Sequence, residues 1–542
     1  MAYTFDSQPP LSVPAASEWH ARKPMIDGVF RFIGGERLPF SGEVVEATSP
    51  IYDGETRARA VIGKVAQFSE EDALAAVRAA AAAWDRGQGE WPQKPLAERI
   101  AAVEALVGEL RKVREQIVDV LVWEICKSTA DAGKEFDRTM DFIAHAIAQL
   151  RESPTVGAGF ETFTDVSGVA CQVRLGPIGV MLGLAAFNYP LNEMYAMLIP
   201  ALLMGNTAVL KLPATGGLVH LLTADAFAAA LPPGVINFVT GSGRKTMPPI
   251  IETGLVDVIG FIGGPSVMDR LIKGHPTPHT LTLFAQLAAK NAAVVLDDAD
   301  LDLAAEQCAL GATSYNGQRC TSIKLMFAPA GAVGDAFVDK LAAKMGALKA
   351  GLPWEEHVAI TPLPDADKPA FLEALVADAV EKGAKVVNGG DGGGGTLRGT
   401  LLTPLIVDSV RSDMRLFDEE QFAPVLPVSR FADVGEVHAA LKASWSGQQA
   451  AVFTADAARA APLLDALATQ VGRINLNMQC SRSPDVVPFS GRRSSAMGTM
   501  SVSEALRAFS IETVVAYNPK DATTTAIGGA LHKHSKFLAP VA

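Results

Sequence analysis

The stretch Gly176-Pro-Ile-Gly-Val-Met-Leu-Gly-Leu-Ala-Ala-Phe-Asn188-Tyr-Pro-Leu decides the fold. Residues 180–186 read as a short apolar strand, and the chain then turns at Pro190 into a helical run over 193–203. The same alternation continues, with strands at 207–211, 236–240 and 256–262 separated by helical runs such as 217–230. Strands alternating with helices predict a parallel, doubly wound α/β sheet with helices on both faces. Asn188 falls between the end of the first strand and Pro190. Its amide should therefore point into the crevice beyond the strand carboxyl ends, where such sheets bind ligands. An Asn before a helix is also an ordinary N-cap.

Outward from this stretch, a second alternating series has strands at 292–296, 323–327, 385–388, 402–407, 425–431, 450–453 and 473–476, which predicts a second α/β unit. Upstream, Ser69-Glu-Glu-Asp72 opens a helical layer at 73–84, 96–113 and 114–126. The most hydrophobic helical run, 194–205, contains Pro200 and falls well short of the roughly 20 residues that span a bilayer. It reads as a core helix. Residues 1–25, rich in Pro, Ser and Ala, read as a surface arm that orders only against a partner surface. The glycine-rich run from Asn388 to Thr396 lacks the Lys and Ser/Thr of a phosphate loop and reads as a hairpin tip.

With 542 residues and 49% hydrophobic content, the chain can bury large cores in several domains. A net charge of −12 argues against a nucleic-acid surface, yet leaves room for a local basic pocket that recruits a small anion. Cys126, Cys171, Cys308, Cys320 and Cys480 are widely spaced, odd in number and without paired metal-ligand spacing. They read as reduced thiols of a cytoplasmic protein with no metal site. His275 and His279 flank prolines in what reads as a loop. The N-terminus has an acid and two prolines where a signal peptide needs an apolar run, so no export is expected.

One cysteine stands apart. Ser314-Tyr-Asn-Gly-Gln-Arg-Cys320-Thr-Ser-Ile-Lys324 holds it on a Gly-containing loop between a helical run at 301–312 and the strand at 323–327. A thiolate there is a strong nucleophile toward carbonyl carbon. An isolated cysteine is more often a small buried hydrophobe, so the loop alone does not decide.

These two stretches, with Gly205-Asn-Thr-Ala-Val-Leu-Lys211-Leu-Pro213 and Glu419-Glu420-Gln-Phe422-Ala-Pro424, make four ordered landmarks that resemble the aldehyde dehydrogenase superfamily from about 26 to 517. Gly317-Gln-Arg-Cys-Thr321, Asn475-Leu-Asn-Met-Gln-Cys-Ser-Arg482-Ser-Pro-Asp485 and Phe509-Ser-Ile-Glu-Thr-Val-Val515 are similar to its branch of non-phosphorylating, NADP-dependent glyceraldehyde-3-phosphate dehydrogenases.

The resemblance implies a Rossmann-type cofactor domain at 26–158 and 178–285, an α/β catalytic domain at 286–488 and a β oligomerisation arm at 159–177 and 510–519. The remainder is the N-terminal arm, 1–25, and a C-terminal extension, 520–542. A homodimer or homotetramer follows, acting on a small-molecule aldehyde with no nucleic-acid or membrane partner. By the same resemblance Cys320 is the nucleophile, and Asn188 with the Cys320 backbone N–H is the oxyanion hole. Lys211, Pro213, Ala214, Gly241, Gly263, Glu420 and Phe422 would hold NADP or NAD. Arg138, Tyr189, Arg319 and Arg482 would hold a substrate phosphate, which needs permanently charged, fork-shaped donors.

Three departures qualify this. The family's Glu-Leu-Gly-Gly-Lys reads Gln286-Leu-Ala-Ala-Lys290, so the general-base glutamate is a glutamine, whose neutral amide accepts no proton from water. Ala214 stands where NAD-preferring relatives often carry a glutamate that repels a 2′-phosphate, which favours NADP or dual use. The Gly-rich turn survives partly at Gly263-Gly264, with Met268 where glycine is usual. Two other readings stay open: an acylating enzyme that passes the acyl group to coenzyme A, and a degenerate dehydrogenase fold kept as a cofactor-binding or assembly protein.

Overall fold

In the computed structural model, which describes residues 3–152, 161–166 and 168–539, the first alternating series forms a six-stranded sheet. Its order is Ile236–Val239, Thr207–Lys211, Val180–Leu184, Val258–Gly263 and Thr282–Leu287, all parallel, with Ala496–Met497 antiparallel on the last edge. The first three strands are buried throughout, as a sheet covered on both faces requires. Strand order reverses beside Val180–Leu184, and that switch point opens the crevice. Register brings the carboxyl ends to one edge: Leu184 lies opposite Lys211 and Phe261, Lys211 opposite Val239, and Gly263 opposite Leu287.

The second series forms a seven-stranded sheet ordered Lys385–Val386, Leu405–Asp408, Val425–Phe431, Ile323–Pro329, Asn291–Val295, Gln449–Phe453 and Arg473–Leu476. Between Thr282–Leu287 and Asn291–Val295 lie only three residues, Ala288, Ala289 and Lys290. The carboxyl edge of the first sheet is thereby tied to the amino edge of the second. Neither alanine has positive φ, so their Cβ atoms cost no backbone strain.

Helix Pro190–Met204 is buried along its whole length, as its apolar run predicts. Its first-turn N–H groups on Leu191 and Asn192 donate to Glu135 Oε1 at 3.0 and 3.2 Å. Glu135 is in turn paired with Lys127, and neither side chain reaches solvent. Ser69 and Asp72 form a reciprocal capping box at the start of Glu70–Trp84, as their spacing predicts.

Several boundaries differ from the sequence reading. The run 217–230 breaks into Leu218–Leu222 and Ala224–Ala230, where the Thr223 hydroxyl donates to the His220 carbonyl at 2.8 Å and competes with the helix ladder. The strand expected at 402–407 splits into Leu401–Leu402 and Leu405–Asp408 around Pro404, which has no N–H to offer. Strand Thr282–Leu287 has no counterpart in the sequence reading.

The N-terminal arm finds its partner surface on its own chain. Asp6–Gln8 pairs in parallel with Thr396–Arg398, Ser12–Val13 pairs with Tyr52 and Asp53, and Phe5 and Val13 are buried. The glycine-rich run therefore leads into a strand that holds the arm. Trp19 stacks on Trp354 with ring centroids 4.9 Å apart. Glu161–Val166, Val169–Pro177 and Ser510–Tyr517 form a separate three-stranded antiparallel sheet. Phe160, at the expected start of that arm, lies outside the described residues. Among the described residues no helix is long and apolar enough to cross a membrane.

Phe5→Ala removes the arm's aromatic anchor from the cluster of Leu372, Leu402 and Leu405. The expected outcome is local undocking, seen as faster protease cleavage within residues 1–25, with a fall in global melting temperature of only a few degrees. Limited proteolysis beside calorimetry checks it.

Candidate active site

The cysteine loop is built from strained backbone. Tyr315, Asn316 and Gly317 are consecutive left-handed residues, with φ of 50°, 57° and 70°. Such a run persists only where its surroundings over-determine it. Tyr315 Oη donates to the Ile125 carbonyl at 2.8 Å, and the Asn316 amide exchanges two hydrogen bonds with Thr361 at 3.0 and 2.8 Å. A Cβ on Gly317 would meet the Ala312 and Ala423 carbonyls at 2.6 and 2.8 Å, so glycine is required. Cys320 then sits between helix Leu301–Thr313 and strand Ile323–Pro329, as expected. Burial pushes its thiol up to about 11; the Glu193 carboxylate adds to the rise, and Lys324, Arg482 and Arg319 oppose it.

Asn188 is buried, and its Nδ2 donates to the Gln318 carbonyl at 2.8 Å, which places the amide against the cysteine loop. The second hydrogen on Nδ2 stays available for an oxyanion. The Cys320 backbone N–H also donates to no described group. Gln286, next to last in strand Thr282–Leu287, has 1% of its surface exposed, and neither its side-chain oxygen nor its nitrogen has a partner among the described residues. A buried amide left empty-handed suits a ligand or an ordered water.

Two lysines whose roles the sequence reading missed arrange the opposite wall. Lys324 Nζ donates to the Cys320 carbonyl at 2.8 Å and pairs with Glu420 Oε1 at 2.9 Å. Lys290 Nζ donates to the Leu416 and Glu419 carbonyls and to Gln421 Oε1, at 2.9, 2.6 and 2.7 Å. Burial lowers Lys290 to about 7. The Ala289 N–H donates to Glu420 Oε1 at 3.2 Å, so the linker between the sheets also holds this carboxylate. Phe422, at φ 47°, meets Phe187 edge-on with centroids 6.0 Å apart. The available signal for Lys324 was a charge inside an apolar strand.

A cavity of about 980 Å³ runs along the carboxyl edge of the first sheet, lined by Lys211, Pro213, Ala214 and Gly241 of the predicted set. Gly263 ends the neighbouring strand but does not line it. Burial lowers Lys211 to about 8. Arg244 and Arg270, not singled out from sequence, add positive charge to the wall. Met268, at the position where glycine is usual, is 1% exposed and packs into the core instead of the crevice. Glu124, also missed, accepts the N–H groups of Gly216 and Gly217 at 2.8 and 3.0 Å and fixes the turn that follows Ala214. Burial pushes its carboxyl up to about 8.

The four residues expected to hold phosphate share one region, and two of them are already paired. Arg138 makes a two-pronged contact with Asp485 at 2.8 and 2.6 Å. Arg482 reaches Glu193 at 3.1 Å and Asp485 at 3.2 Å, while its Nη2 is buried without a partner. The Tyr189 ring lies 3.3 Å from Lys127 Nζ and edge-on to Tyr315. Arg319 has no ion-pair partner among the described residues.

Lys324→Met removes a cation that lowers the Cys320 thiol pKa and leaves Glu420 without its ammonium. Alkylation of Cys320 should then require higher pH than in the parent. Catalytic efficiency should fall by roughly 10- to 100-fold, or about 1.4–3 kcal/mol for a charge-assisted contact. Iodoacetamide rates across pH and steady-state kinetics check both.

The pattern of the aldehyde dehydrogenase family matches residues 45–515. An NADP-dependent glyceraldehyde-3-phosphate dehydrogenase of Streptococcus equinus is 34% identical over 82% of this chain and 91% of its own length. A vanillin dehydrogenase of a Pseudomonas strain is 31% identical over 86% and 93%. The crystal structure of the NADP-dependent glyceraldehyde-3-phosphate dehydrogenase from Bacillus halodurans, complexed with NADP, superposes with a TM-score of 0.81 at 32% identity, covering 91% of this chain and 99% of that one. The chain therefore belongs to the aldehyde dehydrogenase family and is an NAD(P)-dependent oxidoreductase.

Proposed function

We propose that the chain oxidises a small phosphorylated aldehyde, glyceraldehyde 3-phosphate first among candidates, through a covalent thioacyl intermediate on Cys320 and with NADP as cofactor. The observation that carries the phosphate is the buried, unpartnered Nη2 of Arg482, whose other nitrogens meet Glu193 and Asp485, in the same region as Arg319, which has no ion-pair partner among the described residues. A buried guanidinium nitrogen with an open donor is an anion site in waiting. Relatives named as NADP-dependent glyceraldehyde-3-phosphate dehydrogenases agree with this reading.

In this reading Cys320 Sγ attacks the aldehyde carbon, and the oxyanion is held by the spare Asn188 N–H and the Cys320 backbone N–H. NADP, when bound, supplies the hydride acceptor. Lys211 and the turn fixed by Glu124 would hold its adenosine end, with Arg244 and Arg270 offering charge to the 2′-phosphate. Glu420 and Phe422 would hold the nicotinamide ribose, and the orphan Gln286 amide fits a polar group there. The first sheet thus serves the cofactor and the second serves the thiol. A dimer would form by strand addition at the three-stranded sheet, whose strand Ser510–Tyr517 leaves Ile511 and Val514 more than half exposed.

Cys320→Ala should abolish NADPH formation and leave the NADP dissociation constant within about threefold, because the thiol acts in covalent chemistry. Stopped-flow absorbance and equilibrium titration check this. Arg319→Leu should weaken kcat/KM for glyceraldehyde 3-phosphate by about 2 kcal/mol, roughly 30-fold. Unphosphorylated glyceraldehyde should change little. Equal losses for both aldehydes would refute phosphate recognition at Arg319.

A further inference from the structure

Hydrolysis of a thioester needs a group that takes a proton from water, and Gln286 is not one. Other carboxylates around the site are engaged. Glu420 holds Lys324 and the Ala289 N–H, Glu135 holds Lys127 and a helix terminus, and Asp485 spans Arg138 and Arg482. Glu193 differs. Its Oε1 accepts from Arg482 Nη1 at 3.1 Å, and its Oε2 accepts no hydrogen bond from the described residues.

Its position is equally specific. Glu193 stands in the first turn of helix Pro190–Met204, and its N–H donates to the Tyr189 carbonyl at 2.9 Å, so the two residues lie one turn apart on one helix face. Tyr189 packs edge-on against Tyr315 of the cysteine loop, and Asn188 donates into the same loop at Gln318. Carboxylate, amide and thiol are therefore grouped around the cysteine loop. Among neighbouring charges, Glu193 acts most strongly on the Cys320 thiol. Glu193 is the one charged residue of a helix that is buried along its whole length.

We propose that Glu193 is the general base of deacylation, in the role that Gln286 has lost. The inference rests on the acyl-enzyme reading above. Water gives one proton to Glu193 Oε2 while its oxygen bonds to the thioester carbon. The oxyanion then collapses, re-forming the carbonyl, breaking the C–S bond and releasing the acid with Cys320 as thiolate. Glu193 returns the proton to solvent.

The test uses the full-length protein with glyceraldehyde 3-phosphate and NADP, followed by stopped-flow absorbance and intact mass spectrometry. Glu193→Gln should keep a first burst of about one NADPH per site, and its later turnover should fall about 100-fold while acyl-Cys320 accumulates. Hydroxylamine, a nucleophile that needs no base, should restore release. Adding Gln286→Glu to Glu193→Gln should restore turnover in water, and Glu193→Asp, which keeps the charge beside Arg482, should slow the same step. Turnover of Glu193→Gln within threefold of the parent overturns the proposal, as does slow turnover with no acyl-enzyme and no hydroxylamine rescue. A parent protein that reduces NADP yet forms no acyl-Cys320, with hydroxylamine trapping no hydroxamate, overturns the acyl-enzyme reading itself.

Discussion

The ammonium of Lys324 is the contact on which the site's geometry depends. With 2% of its surface exposed, it would cost several kcal/mol to bury unless its donors were satisfied. They are met by the Cys320 carbonyl and the Glu420 carboxylate, and the charge also faces the Phe422 ring at 5.6 Å. The thiol loop and the Glu420 loop consequently cannot shift independently without stranding a charge. Lys290, the residue before strand Asn291–Val295, adds a second tie by binding the carbonyls of Leu416 and Glu419 and the Gln421 side chain. Because Lys290 belongs to the short linker between the sheets, the same tie fixes the separation of the two sheet edges that the linker joins.

The other wall is set by helix Pro190–Met204, whose amino end cannot reach water to satisfy its N–H groups. Glu135 does so, and Lys127 balances Glu135 while lying against the rings of Tyr189 and Tyr315. Alternating charges continue through Glu193, Arg482, Asp485 and Arg138. Breaking one partner from such a chain exposes the next as an uncompensated buried charge, so these residues hold one another in place.

Much of this was legible from residue pattern. Thr207–Lys211, Val425–Phe431 and Arg473–Leu476 have the bounds that period and β-branching predict; the first two are buried almost throughout, and the third is an edge strand that leaves Leu476 exposed. The motifs located the thiol loop, the Asn188 turn and the Glu420 loop, since their local backbone needs particular residues. Lys324, Glu124 and Glu193 were not legible. Each is a charge in an apolar run, and its meaning comes from a partner far along the chain: Glu124 and Gly216 are 92 residues apart, Glu193 and Arg482 are 289. Strand Thr282–Leu287 escaped because its outer end is only half-buried and its period is broken by Gln286.

Position 286 shows how charge and shape separate. Glutamine has nearly the outline of glutamate, so the strand end retains its pairing with Ile262 and Ala496 while one negative charge is removed. The Cys320 thiol has its ionisation opposed by burial and by the Glu193 carboxylate. In the proposed reading, a second carboxylate facing Cys320 would raise its pKa further, against the pull of Lys324, Arg482 and Arg319. In the proposed reading Gln286 and Glu193 belong together: the acid absent from the strand end is supplied by a helix residue, paired to an arginine that limits how far its charge disfavours the thiolate.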